Sequence, residues 1–135
     1  MIGKKKLKGS LVAIVTPMFK NGNIDFDSFK KLFAFHEDRQ TNGIVLVGTT
    51  GESATLNKYE REEIFSFAKL ESNLPLIAGV GSSSTKDAIE LVEIAAKSGI
   101  NDCLAVTPYY NKPSQKGLIF HYEQLSKISS NIILY

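Results

Sequence analysis

The sequence predicts a parallel α/β fold assembled from consecutive βα units. Short apolar runs of strand length begin near Leu11, Ile44, Leu76, Asp102 and Ile132. Segments with helical spacing separate them, and a repeat of roughly thirty residues is that of a strand, a crossover helix and the next parallel strand. The runs are apolar at successive positions, so both faces of the sheet need cover. About four and a half such units are present, and a doubly wound sheet or part of a (β/α)8 barrel satisfies the pattern equally.

Each element has a local reason. Leu11 to Val15 is an apolar β-type run stopped by Thr16-Pro17, and Asn21-Gly22 turns the chain. Asp25 caps a helix whose positions Phe26, Phe29, Leu32, Phe33 and His36 share one face, with Thr41-Asn42-Gly43 closing it. Ile44 to Val47 is the second strand, and Asn57 with Glu60 opens the next helix as a capping-box pair, with Ile64, Phe67 and Ala68 on its buried side. Pro75 leads into a third strand, Leu76 to Gly81. Ser84 with Asp87 starts a helix in which Ala88, Leu91, Val92 and Ala95 keep the i, i+3, i+4, i+7 spacing up to Gly99. Asp102 to Thr107 is a fourth strand, Leu118, Tyr122, Leu125 and Ile128 form the apolar face of the last helix, and Ile132 to Tyr135 is a fifth strand.

Composition narrows the function classes. The 135 residues suit one domain, with 22 % charged and 43 % hydrophobic residues, the balance of a soluble globular protein. Apolar runs are too short to span a bilayer and no apolar segment follows the basic start, so a cytoplasmic protein with no membrane role is expected. Lys4, Lys5, Lys6 and Lys8 read as part of a basic flexible tail over residues 1–8, ahead of a domain over 9–135. The net charge is +2 and the arginines are Arg39 and Arg61, too few to read bases, so no nucleic-acid partner is expected. Cys103 has no second cysteine to pair with and sits among Leu104, Ala105 and Val106 as a small core residue.

The chemistry concentrates in Gly48 to Asn57, G-T-T-G-E-S-A-T-L-N, which joins a strand to a helix. In parallel α/β sheets such loops converge on one face, where amides and short hydroxyls surround a small anion. Gly48 and Gly51 are expected to provide the tight turn, and Thr49 and Thr50 to place hydroxyls beside exposed amides. A carboxylate or phosphate suits that environment. A plain Gly-rich turn with locally satisfied threonines is the alternative.

Three segments in register carry a resemblance. Val12-Ala13-Ile14-Val15-Thr16-Pro17, the G-T-T-G-E-S-A-T-L-N stretch, and Val106 to Ser114 (V-T-P-Y-Y-N-K-P-S) together resemble the dihydrodipicolinate synthase, or 4-hydroxy-tetrahydrodipicolinate synthase, family. The likeness runs from Gly9 to Tyr135. It implies the N-terminal portion of a (β/α)8 TIM barrel and a lyase that condenses pyruvate with L-aspartate 4-semialdehyde through a Schiff base, in lysine and diaminopimelate biosynthesis. No cofactor and no metal are implied. Sister pyruvate aldolases such as N-acetylneuraminate lyase more often read G-S-T-G-E in the middle motif, so Thr49 and the T-P-Y-Y-N run favour the synthase.

By that resemblance Gly48 and Thr50 belong to the pyruvate site, with Thr50 on the carboxylate. Thr49, Tyr135 and Tyr110 form a proton relay, the last reaching into a neighbouring subunit's site. The family's lysine nucleophile and second-substrate arginine match positions after Tyr135. Among the lysines here, Lys58, Lys69, Lys86, Lys97, Lys116 and Lys127 lie on helical patterns and Lys112 in a loop, so no strand offers a desolvated amine. The chain is therefore expected to be inactive alone and to work as a homo-oligomer or with a separate C-terminal half. A non-catalytic half-barrel for assembly or binding is the alternative in a different class. Positions matching a lysine effector site in inhibited relatives are Ser53, Ala54, Lys58, Arg61, Ser83, Asp87 and Tyr109. Cations at Lys58 and Arg61, and the short Asp87, predict weak lysine inhibition.

Overall fold

The computed structural model describes residues 7–129 and 131–135. Most of the basic tail expected over residues 1–8 lies outside them. Five strands, β1 (Leu11–Ala13), β2 (Gly43–Leu46), β3 (Leu76–Gly79), β4 (Asp102–Ala105) and β5 (Asn131–Leu134), alternate with four helices, α1 (Phe26–Asp38), α2 (Lys58–Glu71), α3 (Thr85–Lys97) and α4 (Gln115–Ser126). All neighbouring strands are parallel, in the order β1-β2-β3-β4-β5. A doubly wound sheet reverses direction at a switch point; an order that follows the sequence without reversal is the arc of a barrel.

The alternation of strand side chains defines two sides. Ile44, Leu46, Leu76, Ala78, Val80, Cys103 and Ala105 join Phe29, Phe33, Ile64, Phe65, Ala68, Ala88, Leu91, Val92, Ala95 and Leu125 in one helix-side core. Val45 and Ile77, out of phase with them, are buried on the other side and outside that core. Strands β2 and β3 are buried throughout, whereas β1 and β5 are only partly so, because among the described residues each has a strand on one side only.

Capping follows the sequence reading closely. Asp25 accepts from the Ser28 amide at 3.0 Å and Ser84 from the Asp87 amide at 3.3 Å. Asn57 and Glu60 form the reciprocal pair, at 3.0 and 2.7 Å. Ser114 caps α4 by accepting from Gly117 at 3.2 Å, a start that the loop reading had passed over.

Three expectations are corrected. The strands are shorter at their C-terminal ends, although Ile14, Val80 and Tyr135 still donate to neighbouring strands, to Val45, Leu104 and Ala105. On α2, Phe67 is half-buried against Phe26 and Phe33 of α1, and Phe65 and Arg61 occupy inner positions beside Ile64 and Ala68. Ile128 falls beyond the end of α4 and is exposed; the buried positions of that helix are His121 and Leu125.

His121 is 1 % exposed, with Nδ1 2.9 Å from the Thr85 hydroxyl of α3 and Nε2 without a hydrogen-bond partner. Burial pushes its pKa down, so the folded chain prefers the neutral ring. A folded-state pKa below the unfolded one makes the unfolded chain bind more protons, so stability is full above about pH 6.5 and declines as pH falls toward the folded value. The expected result in urea unfolding is a loss of up to about 1.4 kcal/mol per pH unit within that window. A His121→Leu variant should lose this dependence.

Candidate active site

The loops leaving the C-terminal ends of β1 to β4, the β2–α2 loop among them, and Tyr135 at the end of β5 lie on one face of the parallel sheet. Its turn is not made where the glycines suggested. Positive φ falls at Val47 (53°) and Glu52 (58°), while Gly48 and Gly51 keep ordinary torsions. Val47 is buried and joins Ile44 and Leu46 in the helix-side core, out of the strand's alternation, because the left-handed torsion rotates it there. Gly51 serves close approach instead: a Cβ there would lie 3.1 Å from both the Ile14 carbonyl and the Thr16 hydroxyl.

Thr16, buried three residues after β1, donates its hydroxyl to the Gly51 carbonyl at 2.7 Å and clamps the loop from one side. The sequence reading treated Thr16 as a strand stop; its place before proline and its hydroxyl were the available signal. Arg61 holds the loop from beneath. Its Nε donates to the Leu56 carbonyl at 3.3 Å and its Nη2 to the Ser53 carbonyl, bracketing the 3-10 turn Ser53–Thr55. The amides of Gly51 and Ser53 both donate to Gly48, and that of Glu52 to Thr49. Those of Thr49 and Thr50 have no protein acceptor among the described residues, leaving two donors beside two exposed hydroxyls.

A small cavity of about 30 Å³ opens beside this loop, lined by Val47, Gly48, Thr49, Ser53, Gly79, Gly81, Leu104, Val106 and Tyr135. The structure thus gathers Gly48, Thr49, Ser53 and Tyr135 at one place. Tyr135 is held there by backbone bonds in both directions, its amide to Ala105 at 3.1 Å and its carbonyl from Thr107 at 2.8 Å. Thr50 lies outside the lining. Tyr110 does too, being 94 % exposed with φ 69° on a loop fixed by the Asn111 amide group, which donates to the Ser83 carbonyl at 3.0 Å.

The remaining expected positions sit on the α2 and α3 side. Lys58 donates to Asp87 at 3.2 Å and to Glu90, and these bonds raise its pKa, Glu90 contributing most. Its charge is therefore offset, which the sequence reading did not foresee. Arg61 is buried without a carboxylate, and burial lowers its pKa against a weaker opposing influence from Tyr109. Ala54 is exposed. Cys103, with its thiol pushed up to about 11 by burial in β4, is no nucleophile. Among the described residues no strand bears a lysine, no group of three metal-ligating side chains occurs, and no helix is long and apolar enough to cross a membrane.

A sequential parallel arc with its cavity at the strands' C-terminal ends defines the class of (β/α)8-barrel proteins. The model of the dihydrodipicolinate synthetase family matches residues 6–135. The chain is 47 % identical over 132 residues to the 4-hydroxy-tetrahydrodipicolinate synthase of Dechloromonas aromatica and 50 % identical over 133 residues to that of Ruthia magnifica, in each case over 96 % of this chain and 45 % of the relative. Among solved structures, the enzyme of Methylacidiphilum fumariolicum SolV superposes with a TM-score of 0.91 at 41 % identity, over 96 % of this chain and 44 % of that one. The chloride-inhibited, pyruvate-complexed synthase of Acinetobacter baumannii does so with 0.91 at 44 % identity, over 96 % and 46 %. The chain belongs to the dihydrodipicolinate synthetase family, and it spans about 45 % of the length of the relatives it matches.

The loop's shape depends on Gly79, where an added Cβ would lie 2.2 Å from the Val47 carbonyl oxygen. Backbone cannot yield as a side-chain tip can, so Gly79→Ala is expected to cost about 3 kcal/mol in urea unfolding. Gly48→Ala meets only Val45 Cγ1, at 3.7 Å, and should stay within about 1 kcal/mol.

Proposed function

We propose that the chain supplies the pyruvate-carboxylate loop and the relay hydroxyls of a 4-hydroxy-tetrahydrodipicolinate synthase, which condenses pyruvate with L-aspartate 4-semialdehyde in the cytoplasm. One observation carries the reading: Thr49 and Tyr135, two relay positions of the family, line a single cavity beside the unspent Thr49 and Thr50 amides. In this reading Thr50 and those amides bind the carboxylate, and Thr49, Tyr135 and a partner's copy of the exposed Tyr110 pass protons during imine formation and carbonyl addition. The Schiff-base lysine and the second-substrate arginine come from βα units that follow β5 in sequence or are supplied by another chain.

Among the described residues the outer edges of β1 and β5 carry no strand, and an open groove of about 890 Å³ lies beside α4 and β5, lined partly by Leu118, Ile119, Ile132 and Leu134; both fit the further βα units of the barrel. Those units stand on the same chain or on a separate C-terminal half, and the assembled barrel works as a homo-oligomer. At the α2 and α3 side, the buried charge of Arg61 opposes an ammonium ligand, so lysine inhibition of the assembled enzyme is weak.

Borohydride trapping with intact-mass measurement tests the reading. The chain alone should gain no pyruvate adduct, because no described strand carries a lysine. Mixed with the C-terminal part of the Methylacidiphilum enzyme it should form product, and Thr49→Val should lower turnover by about a hundredfold with little change in unfolding midpoint. Full turnover in that variant would remove Thr49 from the relay.

A further inference from the structure

We propose that Tyr122 positions Tyr135, holding the relay phenol at the cavity through the Ala105 carbonyl that both residues share, an assignment that rests on the relay reading of Tyr135 above. Tyr122 is half-buried on α4 and donates its hydroxyl to the Ala105 carbonyl at 3.0 Å. The Tyr135 amide donates to the same oxygen at 3.1 Å. A carbonyl oxygen has two lone pairs, so Ala105 accepts both bonds, and α4, β4 and the end of β5 meet at one atom.

Tyr135 needs such a tether because it stands beyond the last paired residues. The register of β4 with β5 runs from Asp102 opposite Asn131 to Ala105 opposite Leu134. Past it, Tyr135 is held by two backbone bonds, its amide to Ala105 and its carbonyl from Thr107 at 2.8 Å. The residue is 68 % exposed, so packing does little to fix its ring. Its backbone therefore aims the phenol, and the direction of the Ala105 carbonyl aims that backbone. A second donor on that oxygen limits how far the carbonyl can swing.

The tether is itself anchored. His121, the preceding residue, is buried with Nδ1 2.9 Å from the Thr85 hydroxyl, which fixes α4 against α3. The His121 and Tyr122 rings meet edge to face with centroids 5.1 Å apart, so adjacent residues brace the helix toward α3 on one side and β4 on the other. Burial raises the Tyr122 pKa above the ordinary phenol value, against a weaker opposing influence of the Tyr135 backbone, so the hydroxyl keeps the hydrogen it donates. That hydrogen is committed to a carbonyl, and Tyr122 lines the groove beside α4 and β5 rather than the cavity that holds Thr49. Its part is to position Tyr135 without exchanging protons with substrate.

Tyr122→Phe removes the hydroxyl and keeps the ring. In carbonyl-detected spectra of the 135-residue chain, the Ala105 carbonyl carbon should move upfield as it loses a donor. Amide exchange at Tyr135 and Thr107 should quicken by about fivefold while β2 and β3 amides keep their rates. Mixed with the C-terminal part of the Methylacidiphilum enzyme, the variant should lose about fivefold in kcat with the KM for pyruvate unchanged. Unchanged exchange at Tyr135 would overturn the proposal, as would faster exchange spread evenly over the sheet, the response to losing a purely structural hydroxyl. Thr49→Val, measured alongside, separates the two readings. Full kcat in Tyr122→Phe beside a slowed Thr49→Val overturns the positioning role alone, whereas full kcat in both removes the relay and the positioning role with it.

Discussion

The contact between the Val47 carbonyl and Gly79 is the constraint from which the rest of the site follows. Strands β2 and β3 can approach this closely only because β3 ends on a residue without a Cβ. With that approach fixed, Val47 turns into the left-handed region, a torsion that costs a β-branched residue about 1 to 3 kcal/mol. Burial of its side chain against Ile44 and Leu46 offsets much of that cost. The reward is geometric: the chain leaves β2 sharply, and Gly48 and Thr49 stand over the face where the strands converge.

The loop then needs holding at its far end, and two side chains do so from opposite directions. Thr16 reaches from the loop after β1 to the Gly51 carbonyl, and Arg61 reaches from α2 to the carbonyls of Ser53 and Leu56. Both consume acceptors and leave the Thr49 and Thr50 donors free. A turn whose carbonyls are occupied and whose first amides are open is preorganised for negative charge. The left-handed Glu52 completes the turn without using a glycine.

Much of this was legible in the sequence where local rules decide. Spacing alone specified α3, whose predicted face Ala88, Leu91, Val92 and Ala95 is its buried face. The Asn57 and Glu60 pair forms as read, because a capping box involves only neighbours within one turn. The parallel sheet followed from the repeat, and the three motif segments pointed to the family and so to an arc of a barrel. What sequence could not show depends on contacts between distant segments. The tight turn was expected at the glycines, yet Val47 and Glu52 take the positive φ, while Gly51 and Gly79 serve close approach, to Ile14 and Thr16 and to Val47. Lys58 was read as a free cation, yet Asp87 and Glu90, a helix away, offset its charge. His121 and Arg61 are polar residues at inward positions, and helical periodicity written in hydrophobic residues passes over them.

The central claim is that this loop, in this shape, receives the carboxylate of pyruvate. The most direct measurement is a crystal structure, with pyruvate bound, of the chain assembled with the C-terminal part of the Methylacidiphilum enzyme. The account predicts the carboxylate within hydrogen-bond distance of the Thr49 and Thr50 amides and the Thr50 hydroxyl, with Val47 still at positive φ and Tyr135 beside the ligand. A carboxylate bound elsewhere on the barrel face, or a β2–α2 loop that rearranges so that those amides turn away, would contradict it.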